Sequence, residues 1–147
     1  METLVQVLMA MDGKFDTVIW DCPAGIGEAL SAAAKVSSMA LVVATPDPSS
    51  VRAAYRAGLV LRSEKLENRR LIINRCPKDP KKLHPLKDLD EVIDQTELPL
   101  LGVLWDDPAT RIAFNTGVSL PIDSPNFKPF SDLAGRILGE HITLGIQ

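Results

Sequence analysis

Residues 39–50 read MALVVATPDPSS, an apolar and β-branched run that stops at Thr45 and passes through Asp47-Pro48 into two serines. The run shows no alternation of apolar and polar residues. A strand built from it is apolar on both faces, which suits a parallel sheet covered on both sides. The Asp-Pro after it is a helix start: aspartate can accept hydrogen bonds from the first free N–H groups, and proline fits the first turn, where its missing N–H is no loss. The same pattern recurs at residues 100–110, LLGVLWDDPAT, with Asp107-Pro108 in the equivalent place.

Working outward, residues 17–20 (TVIW) and 70–74 (RLIIN) are further short apolar runs, read as strands closed by Asp21 and Asn74. Helical spacing lies between the runs. Val51, Ala54, Tyr55, Gly58 and Leu59 form one stripe; Leu86, Leu89, Val92 and Ile93 form a second; Phe130, Leu133, Ala134, Ile137 and Leu138 form a third. The order is β-α-β-α-β-α-β-α, which predicts an α/β fold with a mostly parallel, doubly wound sheet and helices on both faces. Leu4, Val5, Leu8 and Met11 also have helical spacing and lead through Asp12-Gly13 toward the first strand. Residues 77–85, PKDPKKLHP, read as a mobile basic loop. No repeat or linker divides the chain, so residues 1–147 are taken as a single domain.

With 46% hydrophobic and 24% charged residues, the chain is neither a disordered tail nor a collagen-like fibre. Its longest apolar stretches fall far short of the roughly 18 residues of a membrane span, and no signal sequence opens it; the expectation is a soluble cytoplasmic protein. The two cysteines, Cys22 and Cys76, make neither a disulfide framework nor a zinc ligand set. Residues 52–87 hold 11 of the 16 basic residues against Glu64, Glu67 and Asp79. Such a basic segment is either a phosphate-rich partner surface or a set of solvated faces, and no aromatic residues interleave it as a single-stranded nucleic-acid groove requires. There is no clear nucleic-acid motif. His84 and His141 stand at no catalytic spacing from a carboxylate, serine or cysteine.

Residues 15–28, FDTVIWDCPAGIGE, carry the chemistry: an apolar run ends on Asp21, and Pro23, Gly25 and Gly27 come at once after it. An acid at a strand end can hold Mg²⁺ through water while a small-residue loop lets backbone N–H groups approach a phosphate. The alternative is a capping aspartate with a glycine turn behind it. DCPAGIG at residues 21–27 resembles the switch II segment of the MinD/ParA family of deviant P-loop ATPases, nearest its MinD branch. The resemblance continues in register through VVATPDPSSVRAAYRAG (42–58), LIINR (71–75) and LPLLGVLWDDPATRIAFNTG (98–117). It implies that Asp21 orders the Mg²⁺ shell and that the Gly25 N–H meets the γ-phosphate. It implies further that Asp47 is an acid beside the nucleotide at a dimer interface, that Asn74 reads adenine with its amide, and that Asp106 and Asp107 border the base. ATP and Mg²⁺ are the cofactors it implies.

No G-x-x-x-x-G-K-[ST] occurs in these 147 residues, whereas such ATPases hold the phosphates with that loop and its lysine. By the resemblance this is the C-terminal portion of an ATPase domain, lacking the P-loop and switch I, and inactive by itself. Two functions stand as expectations. One is an ATPase fragment carrying switch II and the base-recognition loops, from a dimerising ATPase of division-site placement or partition, working as a homodimer or with a complementary P-loop-bearing chain. The other is a non-catalytic truncated homologue acting as an interaction module. The basic amphipathic tail of the MinD branch has no counterpart after Arg136, so membrane attachment by this chain is not expected. The family also places one further strand between those ending at Asp21 and Thr45. Without it, either the two strands pair directly or another polypeptide supplies the strand.

Overall fold

The computed structural model describes residues 2–11 and 13–145. Helix α1 (Glu2–Met11) and helix α2 (Glu28–Val36) precede strand β1 (Ala40–Ala44). Next come helix α3 (Pro48–Ser63), strand β2 (Arg69–Cys76), a 3₁₀ turn (Pro80–Leu83) and helix α4 (Leu89–Thr96). Strand β3 (Leu100–Trp105), helix α5 (Pro108–Thr116) and helix α6 (Phe127–Ile137) complete the order. The three strands form one parallel sheet in the order β1-β2-β3.

The runs of β2 and β3 pack on both faces, as their lack of alternation requires, whereas β1 is covered on one face only, with Leu41 and Val43 exposed on the other. Leu71, Ile73 and Ala44 meet Val51 and Ala54 of α3, Val92 of α4, and Leu98 on one side. Ile72, Leu101 and Leu104 meet Phe130, Leu133 and Ile137 of α6 on the other. Helix α2 joins the first layer, where Leu30 and Ala34 pack with Leu61, Leu66 and Val42. Helices on both faces of a parallel sheet are the architecture that the sequence pattern implies.

The pairing of β2 with β3 slips twice. Leu71 pairs with Leu100 but Ile72 with Gly102, which makes Leu101 an extra residue in β3. Ile73 pairs with Val103 and Cys76 with Trp105, which puts an extra residue into β2 at Asn74-Arg75. Arg75 sits at φ 55°, a left-handed conformation unusual for a residue with a Cβ, and marks this second bulge.

Several expectations are corrected. Residues 17–20 form no strand: Val18 is 43% and Ile19 86% exposed. An extended apolar run becomes a strand only when a neighbour takes its N–H and C=O groups, and none does so among the described residues. The two runs therefore do not close up, and β1 is a sheet edge. On the α6 side, Val43, paired with Ile72, is 57% exposed, because α6 lies over β3 rather than β1.

Leu59 faces solvent and Leu61 takes its place under α3. Leu86 is buried but precedes α4, which starts where Asp88 accepts from the Glu91 N–H and Glu91 accepts from the Lys87 N–H, a reciprocal cap. The 77–85 loop is anchored by a 3₁₀ turn that buries Leu83. Ala134 and Leu138 of the last stripe are exposed. The opening helix is confirmed, and Asp12, expected just after it in a turn, lies outside the described residues.

An open β1 edge with Val43 beside it predicts self-association of the purified chain. Val43→Lys should abolish the concentration-dependent light scattering while shifting the thermal midpoint by only a few degrees. Scattering undiminished in that variant would show that the β1 edge is not the adhesive surface.

Candidate functional site

All three strands point their C-terminal ends the same way, and the residues singled out from sequence distribute unequally around that rim. Asp47, just past β1, is the N-cap of α3: its carboxylate accepts from the backbone N–H groups of Ser49 (3.1 Å) and Ser50 (3.0 Å), from the Ser49 hydroxyl (2.7 Å) and from the Thr45 hydroxyl. The Ser50 hydroxyl in turn accepts from the Thr45 N–H. These bonds, led by that of Thr45, hold the Asp47 carboxyl down at about 2. A carboxylate so engaged is a fixed negative point at the strand end.

Asp107, just past β3, caps α5 by the same device. It accepts from the Thr110 hydroxyl (2.7 Å) and N–H (2.8 Å), with the Ser124 hydroxyl at 3.4 Å. Its pKa is lowered, chiefly by the Thr110 hydroxyl. Asp106 turns the other way: its N–H donates to the Cys76 carbonyl (2.8 Å), tying the loop to the end of β2. Its carboxylate accepts from the Arg111 guanidinium at 3.0 Å and stands 3.8 Å from that of Arg75. Asn74, half-buried at the β2 bulge, accepts from the Arg75 N–H through its Oδ1 (2.9 Å), and no acceptor among the described residues takes its Nδ2. Asp106 thus ties the loop after β3 to Cys76 and Arg75 at the end of β2, while no hydrogen bond or ion pair among the described residues joins Asn74 to Asp106 or Asp107.

Asp21 and Gly25 stand apart. Both lie in the exposed, irregular segment before α2, and no hydrogen bond or ion pair among the described residues links them to the other three. Gly25 has φ 111°, a conformation that favours glycine. Among the described residues no group of three or more His, Cys, Asp or Glu is placed to hold a metal. Burial, then the Asp21 charge, pushes the Cys22 thiol up, and burial pushes Cys76 to about 11, so neither is an activated nucleophile.

Four residues escaped the sequence reading. Arg75 and Arg111 frame Asp106, while Thr110 and Asn126 are buried beneath Asp107. The Thr three residues after an Asp-Pro cap was a legible signal for Thr110; nothing local marks Asn126, which arrives from 21 residues beyond Trp105.

A parallel sheet with helices on both faces and loops gathered at its C-terminal rim is the doubly wound α/β class of fold. No family model matches the sequence. The chain is 34% identical over 148 residues to the septum site-determining protein MinD of Bacillus subtilis (strain 168), an alignment spanning 99% of this chain and 55% of that protein. It superposes on a chain of the MinC:MinD cell division protein complex of Aquifex aeolicus with a TM-score of 0.86, at 26% identity, covering 97% of this chain and 61% of that one. MinD of Pyrococcus horikoshii OT3, solved with Mg-ADP, matches with a TM-score of 0.78 at 25% identity, covering 92% and 55%. The chain is homologous to MinD over nearly its whole length. It spans about half the length of the curated relatives it matches. No helix among the described residues is long and apolar enough to cross a membrane.

The Asp47 cap generates an acid-dependent stability. Because the folded pKa lies below the ordinary 3.8, its stabilisation is present above about pH 4 and is lost as pH falls through about 2. Asp47→Ala should cost about 1 kcal/mol at neutral pH, measured by urea unfolding, and should flatten the acid limb of stability. An acid limb identical in both proteins would remove Asp47 from this role.

Proposed function

We propose that this chain carries the switch II and base-recognition side of a nucleotide site, belonging to a nucleotide-dependent dimerising ATPase of division-site placement. The observation that supports this most directly is that Asp106 is tied to the end of β2, through the Cys76 carbonyl and the Arg75 guanidinium, at strand ends where ligands of α/β sheets collect. Asn74 keeps an amide donor available for a ring nitrogen of adenine, its oxygen being engaged by Arg75. The Asp106–Asp107 loop borders the base, held open by its own bonds to Arg111 and Thr110.

Asp47 supplies the acid beside the nucleotide at a dimer interface. Asp21 orders the water shell of Mg²⁺, and the Gly25 N–H points to a γ-phosphate once a phosphate-binding loop faces it. The bound Mg²⁺ neutralises phosphate charge. What these 147 residues contain is part of one ATPase domain, and they act in the cytoplasm as a homodimer or beside a complementary P-loop-bearing chain. The second reading, a non-catalytic interaction module, gains support from Asp47 and Asp107 being engaged as helix caps.

Alone, the chain should not hydrolyse ATP above background, since no lysine and amide cradle from a G-x-x-x-x-G-K-[ST] loop is present to hold the transferring phosphoryl group. Mg²⁺-dependent turnover that disappears in Asp21→Ala would contradict this. ATP should still bind through the base, with a dissociation constant of about 1 mM. In a ¹⁵N NMR titration the shifts should centre on Asn74, Asp106 and Asp107 and weaken in Asn74→Ala. Shifts centred elsewhere, or insensitive to that variant, would reject the base reading.

A further inference from the structure

Asn126 is a neutral amide buried to 1% exposure at the mouth of α6, and every polar atom of its side chain is used. Oδ1 accepts from the Trp105 N–H at 2.7 Å, and Nδ2 donates to the Trp105 carbonyl at 2.9 Å. One side chain thereby exchanges two bonds with the main chain of a single strand residue, as a neighbouring antiparallel strand would. The same Nδ2 donates to the Thr110 hydroxyl at 3.0 Å. The amide cannot be turned over: reversed, it would set oxygen against the Trp105 carbonyl and NH₂ against the Trp105 N–H.

That fixed orientation propagates. The Thr110 hydroxyl has one proton. Accepting from Asn126, it gives that proton to the Asp107 carboxylate, 2.7 Å away, rather than to the Ser124 hydroxyl at 3.4 Å, because the charged acceptor is nearer and stronger. Ser124, whose hydroxyl accepts from the Asn126 N–H, reaches the same carboxylate oxygen at 3.4 Å. The end of β3, the first turn of α5 and the entry to α6 are therefore held by one hydrogen-bonded chain with Asn126 at its centre. A leucine of similar volume would avoid burying an amide but could fix none of these directions.

We propose that Asn126 is the positioning residue of the 105–108 loop, holding the end of β3 and, through Thr110, the Asp107 carboxylate in the orientation presented to a purine nucleotide. This deepens the base reading above and rests on it for the identity of the ligand. Asn126 touches no ligand itself; its influence passes through Trp105 and Thr110.

The test uses the 147-residue chain, isotope-labelled, with ATP and GTP as probes up to about 10 mM, an excess over the affinity expected of a base-side site. In Asn126→Leu the Asp107 carboxyl ¹³C titration should move up toward 3.8, the ordinary value. The Trp105 amide should lose protection from hydrogen exchange, and ATP should bind about tenfold more weakly with its preference over GTP gone. Thr110→Val should reproduce the Asp107 shift while leaving the Trp105 amide protected, and the double variant should move Asp107 no further than Thr110→Val alone, as expected for links of one chain.

A folded Asn126→Leu variant with an unchanged Asp107 titration and an unchanged ATP-to-GTP ratio overturns the inference. Should that variant not fold, Thr110→Val decides, and an unmoved Asp107 titration in it overturns the inference equally. ATP binding weakened by Asn74→Ala but untouched by Asn126→Leu overturns the inference alone and leaves the base reading standing. ATP binding untouched by Asn74→Ala overturns the base reading, while an Asp107 shift and Trp105 exposure in Asn126→Leu would still support the positioning role.

Discussion

Strand β2 is hydrogen-bonded along both sides, and the rest of the chain is arranged by that fact. Its residues meet β1 on one flank and β3 on the other, while its side chains alternate between two covered faces, with Leu71 and Ile73 toward α3 and α4 and Ile72 toward α6. Parallel neighbours cannot be joined by tight turns, so each pairing demands a crossover helix. α3 bridges β1 to β2 and α4 bridges β2 to β3. Every strand consequently leaves the sheet at the same rim, and the residues after each strand are delivered to one place.

Just past β1, and again past β3, an aspartate starts the next helix. Each cap performs two tasks: it satisfies N–H groups that the first turn of a helix leaves free, and it fixes a carboxylate at the rim. The helix starts and the fixed charges of the rim are thus built from the same residues, Asp47 and Asp107. Asp106 behaves differently. Its carboxylate lies between two arginines and is 44% exposed, so the rim presents charges of both signs within a few ångströms.

The sequence was legible where information is local. Apolar runs located β1, β2 and β3, Asp-Pro located two helix starts, and the length of the run 100–105 matched β3 residue for residue. It was illegible where a neighbour decides. TVIW at residues 17–20 has every local attribute of a strand except something to pair with, and Leu59 satisfies a helical period that the packing of α3 shifts to Leu61. The loop residues Asn74, Asp106 and Asp107 were singled out through family resemblance, and that Asp106 reaches the end of β2 is a property of strand order. Asn126 gave no local sign because its role is set by a partner 21 residues away and by a hydroxyl that hands its proton on to a carboxylate.

The two slips between β2 and β3 are equal and opposite. The offset between paired residues is the same at Leu71–Leu100 as at Cys76–Trp105 and differs by one in between, at Ile72–Gly102 and Ile73–Val103. The extra Leu101 is accommodated by its own burial and by the Arg136 guanidinium, which donates to its carbonyl at 2.9 Å. The extra residue at Asn74-Arg75 is accommodated by the left-handed turn of Arg75. The strands behave like a text read out of frame for two letters and then restored. Deleting one inserted residue would leave the other uncorrected, so Cys76 would no longer stand opposite Trp105 and every residue beyond would be out of phase. Deleting both would restore the frame at the rim while carrying away the left-handed turn of Arg75.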